Sequence, residues 1–153
     1  AHEVADPRIL SAVQQRPAGY QAPALFHDWL DAVHRHRETQ LANVAMLRRH
    51  GVTILVGSDA PNVGHFAGAA LHDELGLLVR SGMTEGEVLR AATLHNAQAL
   101  GLDKQVGSIE VGKRADLLLV RGNPLQSIAA TQDIDSVYLG GRKVSRVRPV
   151  RTP

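Results

Sequence analysis

Apolar residues recur at helical spacing through most of the first hundred positions. From about Asp28 to His50 they return at steps of three and four residues, which predicts an amphipathic helix. The same spacing predicts helices over residues 67–80 and 84–94, and a further turn over residues 96–100. Thr84 opens the helix over 84–94 in the form of a capping box, which is typical of helix N-termini. This part of the chain is therefore predicted to be mainly helical.

One short run between these helices lacks polar alternation. Val52–Val56 is predicted to be a strand, and its continuous apolar character is typical of parallel sheets covered on both faces. Gly57, Ser58 and Asp59 follow it directly. Because active sites in parallel α/β folds lie at the C-terminal ends of strands, Asp59 is a candidate metal ligand and proton acceptor. The alternative is that Asp59 only stabilises a turn or caps the next helix.

The pattern changes after Gly101 to short β-type runs separated by Gly-Ser, Gly-Lys and Gly-Gly pairs. These runs predict a small antiparallel β structure, and the chain contains no internal repeat. We expect a first unit over residues 1–103, a second over residues 104–148 and a tail over residues 149–153. The whole is predicted to belong to the α/β class.

Composition narrows the functional classes. The 153 residues, 44% of them hydrophobic, suffice for one domain with a core, whereas 3% aromatic residues argue against stacking platforms for nucleic acid. No cysteine is present, which excludes thiolate zinc sites and is compatible with a cytosolic location without requiring it. Neither a signal peptide nor a run of about 20 apolar residues is visible. The basic residues near the C-terminus indicate a solvated strand edge or, less favoured, a nucleic-acid contact: Arg142, Lys143, Arg146, Arg148 and Arg151.

Eight histidines offer further candidates for chemistry. His65 lies in the loop that follows Asp59 and is a candidate substrate contact. His34 and His36 have a spacing that metal sites use on strands, but on a helix their rings point about 200° apart. We therefore interpret that pair as part of a solvated helix face. Two others are predicted to be structural: His72 and His95.

The order of motifs resembles a known family. The segments "ILVGSDA", "LHDELGLLVRSGMTEGEVLRAATLHNAQALGL", "VGSIEVGKRADLLLV" and "VYLGGRKV" resemble the C-terminal part of the metal-dependent amidohydrolase superfamily, in its imidazolonepropionase-related and Xaa-Pro dipeptidase-like branch. The resemblance covers residues 51–144. It implies the C-terminal portion of a TIM-type (β/α)8 barrel followed by part of a small β-sandwich domain. It also implies a divalent metal, usually zinc, that activates water for attack on an amide-like C–N bond of a small-molecule substrate.

The resemblance assigns roles to a few residues. Asp59 matches the aspartate of the last barrel strand, which binds the metal or lies beside it and shuttles a proton. "GKRAD" is implied to be a structural signature of the sandwich domain. The family's histidine ligands precede the aspartate, whereas only 58 residues precede Asp59 here and a full barrel needs about 250.

One carboxylate does not complete a zinc site, since catalytic zinc typically takes three protein ligands. We therefore expect this chain to be an incomplete C-terminal piece of an enzyme, with its natural N-terminus upstream and the other metal ligands supplied from outside it. The alternative is a non-catalytic module of the same origin. In either case unpaired strand edges predict self-association or pairing with another chain.

Overall fold

The computed structural model describes residues 24–60 and 68–145. His65 and the tail over residues 149–153 lie outside the described residues. In the described part of the chain, no helix has both the length and the apolar character needed to cross a membrane.

The predicted helix over residues 28–50 is present as two consecutive helices, α1 (Ala24–Arg35) and α2 (Arg37–Arg49). His36 lies between them with φ −95° and ψ 4°, although backbone hydrogen bonds continue on both sides of it. Helix α2 ends in a Schellman motif. Gly51 has a φ of 77°, and the next amide, that of Val52, donates to a carbonyl in the last turn of α2 at 3.1 Å.

The next two predicted helices are also present, with one local difference. Helix α3 spans Ala69–Arg80, and α4 spans Glu85–Arg90 behind the capping box predicted at Thr84. The prediction of one regular helix over residues 84–94 is wrong beyond Arg90, because a π-helical turn occupies Ala91–His95 before α5 (Asn96–Ala99). Such a turn inserts one extra residue into the helix.

The β-rich part forms a three-stranded antiparallel sheet in the order β1-β2-β3. The strands are β1 (Leu117–Val120), β2 (Ile134–Leu139) and β3 (Arg142–Val144). A 3-10 helix, Ile128–Gln132, precedes β2 and packs against α3. This contact joins the helical part of the molecule to its sheet.

The main core lies between the helices and the segment that follows α2. Val88 of α4 is completely buried. Around it pack Val56, Leu75, Leu78, Met83 and Ala91. This cluster is what holds the Val52–Val56 segment against the helices.

The prediction of a strand at Val52–Val56 is not met. The segment carries no strand pairing in the described part of the chain, and Val52 and Leu55 are about half exposed, at 47% and 48%. The predicted coverage of both faces is therefore wrong. A strand exists only through hydrogen bonds to its neighbours, and in a parallel sheet those neighbours come from other βα units. The described residues contain no second unit of this kind.

Candidate functional site

Asp59 lies at the end of this segment and is exposed. Burial alternates along the segment with the period of a strand: Ile54 and Val56 face the helices, whereas Thr53, Leu55 and Asp59 are exposed. Asp59 therefore belongs to the face directed away from the helices. Its φ of 51° makes it the one non-glycine residue with a positive φ among the described residues. Aspartate tolerates this conformation better than most residues, and here it marks where the extended backbone ends.

A side chain from the far end of the helical part holds the segment just before Asp59. The Asn96 amide Oδ1 accepts a hydrogen bond from the Val56 N–H at 3.0 Å, and its Nδ2 donates to the Val56 C=O at 2.8 Å. One amide thus satisfies both backbone groups of Val56. The sequence placed Asn96 in the last helical turn but did not indicate this contact.

His65, the predicted substrate contact, lies outside the described residues. His72 is in α3 and has a structural partner, Thr131 in the 3-10 helix, with Nδ1 and Oγ1 3.0 Å apart. Because the Thr131 hydroxyl donates its proton to the Ile128 carbonyl at 2.7 Å, it accepts from His72 Nδ1–H. Burial lowers the pKa of His72, against an opposing effect of the Asp73 carboxylate. His72 therefore joins α3 to the 3-10 helix as a neutral ring, which agrees with its predicted structural role.

The remaining described histidines form no three-residue metal group with Asp59. His34 and His36 are exposed, in agreement with the solvated helix face predicted for them. His95 closes the π-helical turn, and its Nδ1 is buried without a hydrogen-bond partner among the described residues. Within residues 24–60 and 68–145, no group of three His, Cys, Asp or Glu side chains could hold a metal ion. Asp59 fits the role of one carboxylate ligand, and the described residues do not complete the site.

The "GKRAD" segment has the geometry of a structural element. Lys113 Nζ lies 3.2 Å from Glu110, and Arg114 Nε donates to Asp116 at 2.7 Å. Asp116 also accepts from the Gly140 amide at 2.8 Å, which ties β1 to the turn between β2 and β3. The Arg114 guanidinium and this amide hold the pKa of Asp116 below its usual range. Both carboxylates are engaged in local structure.

A mainly apolar cavity of about 700 Å³ lies between helices α4–α5 and the start of the sheet. None of residues 52–60 lines it. Asn96, whose amide binds the backbone of Val56, is among its lining residues, so the cavity borders the attachment of this segment but does not include Asp59.

Comparison with known proteins agrees with the resemblance seen in the motifs. The profile of the amidohydrolase family matches residues 23–144. An imidazolonepropionase from Pseudomonas entomophila is 42% identical over 116 residues, which cover 72% of this chain and 26% of that protein. A Bifidobacterium longum protein described as a prolidase candidate is similar in structure, with a TM-score of 0.67 and 37% identity over 73% of this chain and 28% of its own.

A Xaa-Pro dipeptidase with bound methionine gives a TM-score of 0.63 at 30% identity, over 69% of this chain and 25% of that structure. The chain thus spans about a quarter of the length of each of these relatives. The fold class, a C-terminal portion of a TIM-type α/β barrel, is confirmed by these neighbours, and a divalent metal is typical of the family. The family match over most of its length shows that this chain belongs to the amidohydrolase family.

Proposed function

We propose that this chain supplies the last barrel segment, and with it the Asp59 carboxylate, to a metal-dependent hydrolase that acts on carbon–nitrogen bonds. The observation that carries the proposal is the placement of Asp59. It ends an extended segment, on the face turned away from the helices, inside the region that matches the family. In barrels that face lines the interior, and active sites lie at the C-terminal ends of the strands, where Asp59 stands.

Zinc is the metal we propose for this site. Asp59 would supply one oxygen ligand, and the remaining ligands lie outside the described residues, on the same polypeptide or on a partner chain. Bound zinc activates water for attack and polarises the scissile group. Asp59 would be placed to accept a proton from the attacking water and to pass it to the leaving nitrogen. His65, six positions beyond Asp59, remains our candidate for a substrate contact.

The substrate class rests on the relatives. One of them is an imidazolonepropionase and another a Xaa-Pro dipeptidase. We infer for this chain a small substrate with a hydrolysable C–N bond, of the cyclic-amide or dipeptide type.

A chimera tests the proposal. Residues 23–144 of this chain replace the matching C-terminal part of the Pseudomonas entomophila imidazolonepropionase, so that the relative supplies the rest of the barrel. We expect the chimera to retain zinc and to hydrolyse the relative's own substrate. Asp59→Asn should lower kcat by about 10²- to 10⁴-fold, the range for loss of a positioned acid–base group. Asp28→Asn, the same change at an exposed position of α1, is the matched control and should leave kcat unchanged.

Two results would contradict the proposal. One is a chimera that folds, as judged by circular dichroism and gel filtration, but holds no zinc and has no activity. The other is an active chimera in which Asp59→Asn performs as well as the Asp28→Asn control.

A second function, partner binding through a strand edge, is favoured by a separate observation. The Val52 amide is bonded to Leu47 and the Val56 amide to Asn96. Residues 53–55, which lie between them, have no backbone hydrogen bond to any described residue. An exposed row of such groups is a template for another strand. We propose that a second copy of this chain pairs with this edge.

A further inference from the structure

Asn96 occupies the position that a neighbouring strand would take. In an extended strand the N–H and C=O of one residue point to the same neighbour. Both groups of Val56 are bound by the Asn96 amide, at 3.0 and 2.8 Å. Since the segment has no strand partner within the described residues, this amide and the Val52 amide bonded to Leu47 are its two backbone attachments.

A π-helical turn determines the helix face on which Asn96 lies. The π-helical turn Ala91–His95 ends immediately before Asn96. One inserted residue rotates every later side chain by about 100° around the helix axis. Without the π turn, Asn96 would therefore lie on a different face of the helix. Turns of this kind occur often at functional sites.

Asp59 follows the attachment point by only three residues, a span of about 10 Å in extended backbone. Val56 is itself buried in the core, with 8% of its surface exposed. Val56 is therefore held both by Asn96 and by the core, and it is the fixed residue from which the backbone runs to Asp59. A shift of Val56 along the segment is transmitted toward Asp59 through the backbone of Gly57 and Ser58.

We infer that Asn96 is a positioning residue that sets the place of the Asp59 carboxylate through the backbone of Val56. The inference rests on the proposed function, because it assigns Asn96 a role in the reaction of that same site. Asn96 touches neither metal nor substrate in this role; it acts through Asp59.

Kinetics of the chimera test this role against a merely structural one. Asn96→Asp keeps an acceptor for the Val56 N–H but cannot donate to its C=O, and Asn96→Leu removes both bonds. Each should lower kcat by about 10- to 100-fold, as expected when a reacting group is misplaced by about 1 Å. Gln98→Leu, at an exposed position of the same helix, is the matched control and should change kcat less than twofold.

A double-mutant cycle supplies the decisive readout. If Asn96 acts through Asp59, Asn96→Leu should change the residual kcat less than about twofold once Asp59→Asn is present, because coupled residues are not additive. An equal loss of kcat in both backgrounds, or no loss with Asp59 intact, would overturn the inference.

A measurement on the full 153-residue chain separates this inference from the proposed function. In the chain, a scalar coupling across the hydrogen bond should link the Val56 amide nitrogen to Asn96 Cγ. With Asn96→Leu, the heteronuclear NOE of Ser58 and Asp59 should fall while that of Val88 stays unchanged. If the chimera folds but is inactive, the proposed function fails and these data still decide the positioning role. An unchanged NOE at Asp59 would overturn it.

Discussion

The Glu87 carboxylate joins two helices, and its replacement by glutamine tests how much this junction contributes. Its Oε2 accepts from the Thr84 amide at 2.8 Å and from the Thr84 hydroxyl at 2.9 Å, which closes the capping box of α4. Its Oε1 accepts from Arg48 Nε of α2 at 3.1 Å. Glu87→Gln keeps the shape and one acceptor oxygen but removes the charge. The change therefore removes the charge together with the hydrogen bonds accepted by one of the two oxygens.

The pKa of Glu87 gives the sign and an upper limit for this effect. The hydrogen bond from Arg48, followed by those from Thr84, lowers the pKa from 4.5 to about 2. A shift of this size corresponds to about 3 kcal/mol. The side chain is 40% exposed, however, and exposed ion pairs contribute only about 0.2–1 kcal/mol and a helix cap about 1 kcal/mol. We therefore expect Glu87→Gln to lower the free energy of unfolding by about 1–2 kcal/mol at pH 7.

This contribution depends on pH in a defined direction. Because the pKa is lowered in the folded state, the stabilisation is complete above pH 4.5 and is lost as pH falls toward about 2. Urea unfolding of the wild-type and Glu87→Gln chains should thus differ most at pH 7, and the difference should shrink to less than half near pH 3. Glu85→Gln, in the same first turn but without a hydrogen-bonded partner among the described residues, is the control. Equal losses for both variants, or a Glu87→Gln loss independent of pH, would refute the reasoning.

Three further predictions concern the core, the histidine contact and the open edge. Val88→Ala should cost about 2–3 kcal/mol in urea unfolding, because the side chain is completely buried; a cost below about 1 kcal/mol would contradict this. NMR titration of His72 should give a pKa below 6.5. Because the unfolded state then binds the proton more readily, the free energy of unfolding should fall as the pH drops below 6.5. Thr131→Val should weaken the contact between His72 and residue 131, so that the chain unfolds at a lower urea concentration. Leu55→Lys should shift the chain toward monomer in light scattering, since it places charge on the exposed edge; an unchanged mass would contradict self-association through this edge.

The helices were predictable because their signals are local. The capping box at Thr84 and the glycines after α2 and α3 make contacts within one or two helical turns, so both partners of each contact lie within a few residues of each other in the sequence. The pairing of β2 with β3 was predictable for the same reason, since Gly140 and Gly141 separate the two strands. The pairing of β1 with β2 spans the 3-10 helix and is less local. The domain limits at residues 103 and 148 remain predictions.

The predictions that were wrong all concern features that depend on partners distant in the sequence. Val52–Val56 has the composition of a strand, but a strand requires neighbours that the described residues do not contain. The π turn at Ala91–His95 follows no local pattern of residues. It ends immediately before Asn96, whose amide reaches Val56, 40 positions earlier in the chain. A single sequence offers no signal for such a contact.

Helix packing accounts for the face of the segment on which the candidate catalytic residue lies. Side chains in extended backbone alternate between two faces, so burying Ile54 and Val56 against the helices places Asp59 on the opposite face. A slip of one residue would exchange Asp59 with Ser58. The core selects the face through Val56, and Asn96 sets the position along the segment through the backbone of the same residue. The segment thus keeps the alternation of a barrel strand, although no strand is paired with it within the described residues. The carboxylate lies on the face turned away from the helices, which is the side on which we propose that the active site assembles.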